Sequence, residues 1–205
     1  MKEPSATKDL IFDAFLALIS KQGYENVSVR DITTSVGIKP ASMYNHFESK
    51  EKLLEYAYTY YAKHQFDNRK PLDEMKRHME SDSVENIVTT FFYTFVSEDK
   101  QKYTRMILIT KIIYMRLFQD PLANAMFLEA HQDNAEYVTS VLAHGIAIGR
   151  LDPAFDSRTF ADVLIGSLEI MGVRAFAGAA YQVGQLDQEK LILALLAKLL
   201  STALL

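Results

Sequence analysis

Residues 28–50 read SVRDITTSVGIKPASMYNHFESK, and this stretch decides the fold. Two short helical patterns lie in it, over about 29–36 and 40–46, joined by a tight turn at Gly37. Ser28 followed three residues later by Asp31 is a capping-box pattern, in which each residue satisfies a backbone donor of the other. Gly37 can take the left-handed conformation that a tight turn needs. Pro40 suits the first turn of a helix, where its missing N–H is not needed. The second pattern is rich in small and polar residues and aromatic at its end, whereas a core helix this short would be more apolar. It is therefore presented to something outside the protein. The geometry is that of a helix-turn-helix, whose second helix lies in the DNA major groove.

The roles divide by face. Val29, Ile32 and Val36 can pack the first of the two helices inward, and Met43 and Phe47 can hold the second from inside. Pro40, Ala41, Ser42, Tyr44, Asn45 and His46 then point outward. Small residues at the start of the reading helix allow close approach to base edges, and Ser42 and Asn45 can exchange hydrogen bonds there. Tyr44 and His46 can reach phosphates, and Arg30 a guanine edge or a phosphate. Ser49 caps a further helix whose first residue, Lys50, joins a cation to the positive end of a helix dipole, a suitable place for a phosphate. Taken singly, Tyr44 can equally be a core aromatic and Lys50 a solvated charge; their joint spacing carries the signal.

With its flanks the segment resembles the DNA-binding domain of the TetR family of transcriptional regulators. The resemblance rests on Gly23-Tyr24, Val27-Ser28-Val29-Arg30, Ile32, Val36-Gly37-Ile38 and the run Ser42-Met43-Tyr44-Asn45-His46-Phe47-Glu48-Ser49-Lys50-Glu51-Lys52-Leu53-Leu54, and covers about residues 8–55. It implies DNA contacts from Ser42, Tyr44, His46 and Lys50, and further contacts from Arg30 and from Lys39, Pro40 and Ala41. Two positions depart from the pattern: Glu48 stands where Lys is frequent, and Thr33 where a small Ala is usual.

Composition bounds the alternatives. The 205 residues are 49% hydrophobic and 23% charged, as in a folded globular chain. There is no cysteine, so disulfides, thiol catalysis and thiolate metal sites are excluded. No apolar signal-peptide core and no run of about 18 apolar residues occurs, which points to a cytoplasmic protein without a membrane span. The net charge of -4 is unevenly spread. Residues 1–70 hold 10 Lys+Arg and 9 Asp+Glu, a net of +1, and the remainder holds 12 and 17, a net of -5. So weak a basic patch argues against coating DNA non-specifically and for binding as a pair.

Apolar spacing predicts an all-α chain of about nine helices. The first, over 5–22, carries the stripe Leu10, Ile11, Ala14, Phe15, Leu18 and Ile19 and stops at Gly23. The helix opening at Lys50 runs to about 68 or 69. A looser stretch follows at 67–83. Further helices are expected over about 83–97, 100–119, 121–145, 157–181 and 187–204, with a loop at 149–156. The division expected is a DNA-binding domain over 1–55, its last helix running on, and a helical regulatory domain over 70–205.

The resemblance implies that this second domain holds a ligand cavity and dimerises through its last two helices. The residues agree. Gly166, Gly172, Ala175, Ala177, Gly178, Ala179 and Ala180 permit close helix packing, and residues 191–204 are apolar on nearly every face. Such a helix needs cover on more than one side, from a four-helix dimer interface or from a monomer core. Phe91, Phe92, Phe95, Tyr103, Met106, Tyr114, Phe118 and Phe127, with Tyr93, Met115 and Met126, can line a pocket for an apolar or aromatic effector or simply fill the core. Glu169 and Arg174 can anchor a polar ligand group or form a salt bridge.

Catalytic patterns are missing. The five histidines are at least 13 residues apart, so no i, i+4 zinc pair exists, and neither a P-loop, G-x-G-x-x-G nor G-x-S-x-G occurs. No enzyme activity, metal or cofactor is expected. The reading is a homodimeric repressor of a near-palindromic double-stranded operator, released by a small-molecule effector. The alternative is a helical ligand-binding or protein-interaction module without DNA binding.

Overall fold

The computed structural model describes residues 4–93, 99–177 and 185–205. Among the described residues there are ten α-helices and no β-strand: α1 (Pro4–Gln22), α2 (Val29–Val36), α3 (Pro40–Tyr44), α4 (Lys50–His64), α5 (Leu72–Ser81), α6 (Val84–Tyr93), α7 (Lys100–Arg116), α8 (Pro121–Ala147), α9 (Ser157–Ala177) and α10 (Gln185–Ser201). The all-α expectation holds, with one helix more than the sequence reading. The additional helix is α5, inside the stretch read as loose. Its apolar residues Leu72, Met75 and Met79 are spaced for one helical face, and both methionines are buried. The seven polar residues among them hid that stripe.

Packing divides the chain into two units, and the division does not follow chain order. The first contains α1 to α4, α7 and the start of α8 up to Phe127; the second contains α5, α6, the rest of α8, α9 and α10. The sequence reading placed α7 with the C-terminal part. Its Ile109, Ile112 and Ile113 are instead buried in the core that α1 and α4 form.

In the first unit α1 buries Ile11, Phe12, Phe15, Leu16 and Ile19, at spacings of one, three and four. The expected stripe is rotated: Phe12 and Leu16 are inside, while Leu10 is 38% exposed. The cause is α7, which packs along α1 and covers a second face. Arg105 of α7, itself buried, donates from Nε to Asp13 at 2.6 Å and from Nη2 to Asp9 at 2.9 Å. Its guanidinium lies 5.3 Å from the Phe12 ring centroid. Removing both carboxylates would leave a buried charge uncompensated, so these contacts tie α7 firmly to α1.

The second unit surrounds a separate core. Ile87, Val88 and Phe91 of α6 meet Val138, Val141 and Leu142 of α8, Phe160, Leu164 and Ile165 of α9, and Leu196 and Leu200 of α10. The Tyr137 hydroxyl donates to the Lys70 carbonyl at 2.7 Å, and burial pushes its phenol up to about 12, so it remains a donor at neutral pH. The loop after α8 begins at Gly149, left-handed at φ 73°, and Asp152 donates its N–H to the Ala203 carbonyl at 2.8 Å, tying the loop to the chain end.

Candidate nucleic-acid interface

Local chemistry builds the head from Ser28 onward. The Ser28 N–H donates to the Asp31 carboxylate at 2.8 Å, and the Asp31 N–H donates to Ser28 Oγ at 3.2 Å. This is the reciprocal capping box expected at the start of α2, and the Ser28 bonds hold the Asp31 carboxyl below its ordinary range. Thr33, where a small Ala is usual, is buried without penalty: its hydroxyl donates to the Val29 carbonyl at 3.0 Å and the Arg30 carbonyl at 3.2 Å. Gly37 closes α2 at φ 75°, its N–H turned to the Thr33 and Thr34 carbonyls. Ala or any branched residue would be strained there.

The turn delivers α3 with Pro40 in its first turn. Met43 is fully buried, and Phe47, just beyond the helix, is buried edge-on against Tyr56 at 5.3 Å. With that side fixed, Lys39, Pro40, Ala41 and Asn45 are exposed, Tyr44 is 52% exposed, and Ser42 and His46 are half-buried. Arg30 is exposed at the start of α2. Eight of the nine residues expected to face DNA thus share the surface of this one motif. Arg30 and Lys39 form no ion pair among the described residues. Regular α3 ends at Tyr44, two residues earlier than expected, because the His46 and Phe47 N–H groups both turn back to the Met43 carbonyl.

The ninth residue, Lys50, is engaged within the protein. Its ammonium is not directed outward. It donates to the Tyr24 and Val27 carbonyls, each at 3.0 Å, and lies 4.0 Å from the centroid of the Tyr24 ring. Two carbonyls of the α1–α2 connection and an aromatic face make a better site for a cation than open solvent. Ser49 caps α4 as expected, accepting from the Lys52 N–H at 3.2 Å.

Two supports of the head escaped the sequence reading. Lys8 of α1 lies 4.4 Å from the Tyr56 ring centroid and 5.3 Å from that of Phe47, covering the aromatic pair beneath the reading helix. Arg116, at the end of α7, lies 4.6 Å from the Tyr24 ring. Nothing local in the sequence joins residues so far apart.

The residues proposed for an effector pocket do not converge in one unit. Phe91 is buried in the second core, and Glu169, in the same unit, is bonded to His131 Nδ1 at 2.9 Å. Tyr103, Met106, Tyr114, Phe118 and Phe127 belong to the first unit, where Tyr114 and Phe127 meet edge-to-face at 5.6 Å. Phe118 is 93% exposed, because the chain turns there between α7 and α8, so it lines no enclosed pocket. Phe95 lies outside the described residues, as do the side chains of Phe92, Tyr93 and Arg174 and most of the small-residue run from Gly172 to Ala180. A depression of about 460 Å³ does lie between α1 and α7, but its walls are Asp13, Ala17, Lys100, Gln101, Thr104, Arg105 and Leu108. Among the described residues no group of three or more His, Asp or Glu could hold a metal ion, and no helix is long and apolar enough to cross a membrane.

Residues 11–57 match the family described as bacterial regulatory proteins, tetR family. Residues 11–57 are a TetR-family segment. The matched TetR segment starts at the buried face of α1 and ends within α4, so it is the head just described. A Staphylococcus aureus (strain Newman) relative, the biofilm operon icaADBC HTH-type negative transcriptional regulator IcaR, is 32% identical over 99 residues, covering 48% of this chain. The chain spans only half the length of that relative in the match. The Staphylococcus epidermidis protein of the same name is 26% identical over 175 residues, covering 82% of this chain and 83% of its own. In fold, the chain is similar to a putative transcriptional regulator from Saccharomonospora viridis solved in complex with choline, at a TM-score of 0.66 and 16% identity over 96% of each chain.

Proposed function

We propose that this TetR-family chain is a cytoplasmic, sequence-specific DNA-binding transcriptional regulator that acts as a homodimeric repressor. The observation that carries the proposal is the construction of α3. Met43 and Phe47 hold it from inside, and Pro40, Ala41, Tyr44 and Asn45 are left exposed together with Arg30 and Lys39, two cations that form no ion pair among the described residues. Small residues at its start let the backbone approach base edges. Ser42 and Asn45 exchange hydrogen bonds with bases, and Tyr44, His46, Arg30 and Lys39 engage phosphates or guanine.

The pairing of two chains is supported by apolar faces without cover in the single chain. Val163 and Ile170 of α9 and Leu191, Leu195 and Leu199 of α10 are all exposed, and each set recurs at helical spacing. Joining these faces about a two-fold axis makes a four-helix interface and gives two reading helices at a fixed separation, matching a near-palindromic operator. Glu169 serves a hydrogen bond with His131 in this reading rather than a ligand. A small-molecule effector completes the proposal. The similarly folded Saccharomonospora protein holds choline, and an effector that prefers a dimer with the wrong head separation releases the operator by its differential affinity.

The test is selection of duplexes from a random pool by the full-length protein, followed by titration of a Tyr44→Ala variant. A defined sequence is expected to be recovered, and the variant to bind it at least about tenfold more weakly, the worth of one good contact. Recovery of no sequence, with no gel shift at low salt, would favour the helical module without DNA binding.

A further inference from the structure

The connection between α1 and α2 is short, and two helices hold it. Gly23 ends α1 in the left-handed conformation at φ 82°, and Ser28 caps α2. From one side comes the first turn of α4: Lys50 donates to the carbonyls of Tyr24 and Val27, and the Tyr24 hydroxyl donates to Glu51 at 3.1 Å. From α7 comes Arg116, whose guanidinium lies 4.6 Å from the Tyr24 ring centroid and whose Nη1 is 3.6 Å from the Glu25 carboxylate. Asp120 fixes that guanidinium, accepting from Arg116 Nε at 3.1 Å and from the Tyr58 hydroxyl at 2.9 Å. Tyr24 therefore carries two cations against one ring, with a carboxylate on its hydroxyl.

We infer that Lys50 is a positioning residue of the reading head rather than a phosphate contact, and that Tyr24 and Arg116 complete the brace it forms. The consequence for DNA rests on the binding reading above; the brace itself does not. The geometry gives the mechanism. The α3 helix hangs between the turn at Gly37 and the first turn of α4. Fixing that first turn to the α1–α2 connection fixes the trailing end of α3, and with it the direction of Tyr44 and Asn45. An ammonium that already donates to two carbonyls and faces a ring must abandon one of them to reach a phosphate. Arg116 brings α7 into the same brace, so a shift of α7 reaches the head through the Tyr24 ring.

Salt dependence separates the two roles, because each phosphate contact adds about 0.9 to the slope of log affinity against log salt. The full-length wild type, Lys50→Met, Lys50→Arg and Arg116→Gln are titrated against a duplex that the wild type selects from a random pool. Amide exchange of Val27 and Ser28 is followed without DNA. The brace predicts that Lys50→Met binds about tenfold more weakly at every salt concentration, with a line parallel to the wild type. Lys50→Arg, which can restore both the cation on the ring and the carbonyl bonds, stays within about threefold of the wild type. Arg116→Gln weakens binding about threefold, again in parallel. Exchange at Val27 and Ser28 quickens in Lys50→Met and Arg116→Gln. A slope reduced by about 2 in Lys50→Met, one contact per head of a dimer, with exchange unchanged, would overturn the inference. So would wild-type exchange in both variants. If the wild type selects no duplex, the DNA reading fails, and the exchange measurement still decides the brace.

Discussion

Asp120 is a single carboxylate on which several supports of the head converge. It accepts from Tyr58 and Arg116, and from the backbone N–H groups of Leu122 and Ala123 that open α8. Burial works against its charge, but these four donors outweigh it and hold its carboxyl below the ordinary range. Tyr58, buried and bonded to the carboxylate, is pushed far above the normal phenol value and stays a neutral donor. A carboxyl depressed on folding stabilises the fold above its unfolded pKa, and that contribution is lost as pH falls through the lower, folded value. Asp120→Asn is therefore expected to cost about 2 kcal/mol at pH 7, the scale of hydrogen bonds to a charged group. Its deficit against the wild type should shrink to nothing in acid below the carboxylate range. Denaturant titrations at a series of pH values measure this. A deficit independent of pH would show that the ionised carboxylate contributes nothing.

At the scale of elements, the turn between α2 and α3 is the most sharply specified feature. Gly37 sits at φ 75°, and a Cβ built there meets nothing within 4 Å. The cost of Gly37→Ala is thus backbone strain alone, about 1 kcal/mol. Thermal melts should place the variant roughly 2–4 °C below the wild type. An unchanged melting temperature would mean that the turn has another conformation. This part of the fold was legible in advance because its rules are local: Ser28 and Asp31 are three residues apart, Gly37 and Pro40 act on their own backbone, and Met43 and Phe47 lie one helical turn apart. Where packing partners lie far along the chain, the sequence was silent. It could not show that α7 returns to the first unit, that Lys50 has carbonyls to bind in the α1–α2 connection, or that Phe118 falls on an exposed turn. Helix α5 was hidden for a different reason, since two buried methionines among so many charges leave little apolar contrast.

At the scale of the whole molecule, the proposed function has one head binding DNA weakly by itself. Its part of the chain has a net charge of only +1, Glu48 adds a negative charge next to the reading helix, and Lys50 is engaged inside the protein. Two heads acting together would answer this, and the exposed leucines of α10 with Val163 and Ile170 of α9 offer a surface for the proposed pairing. A dimer held there would present two copies of α3 to one face of the duplex. Reading helices of a two-fold pair enter successive major grooves, about 34–36 Å or a whole multiple of that apart. The most direct measurement is methylation interference at guanine N7, which lies in the major groove, on a duplex that the full-length protein selects. The account predicts two clusters of interfering guanines, related by the symmetry of the site and separated by about one or more whole helical turns. Binding that tolerates methylation at every guanine, or a single cluster without a symmetric partner, would contradict it.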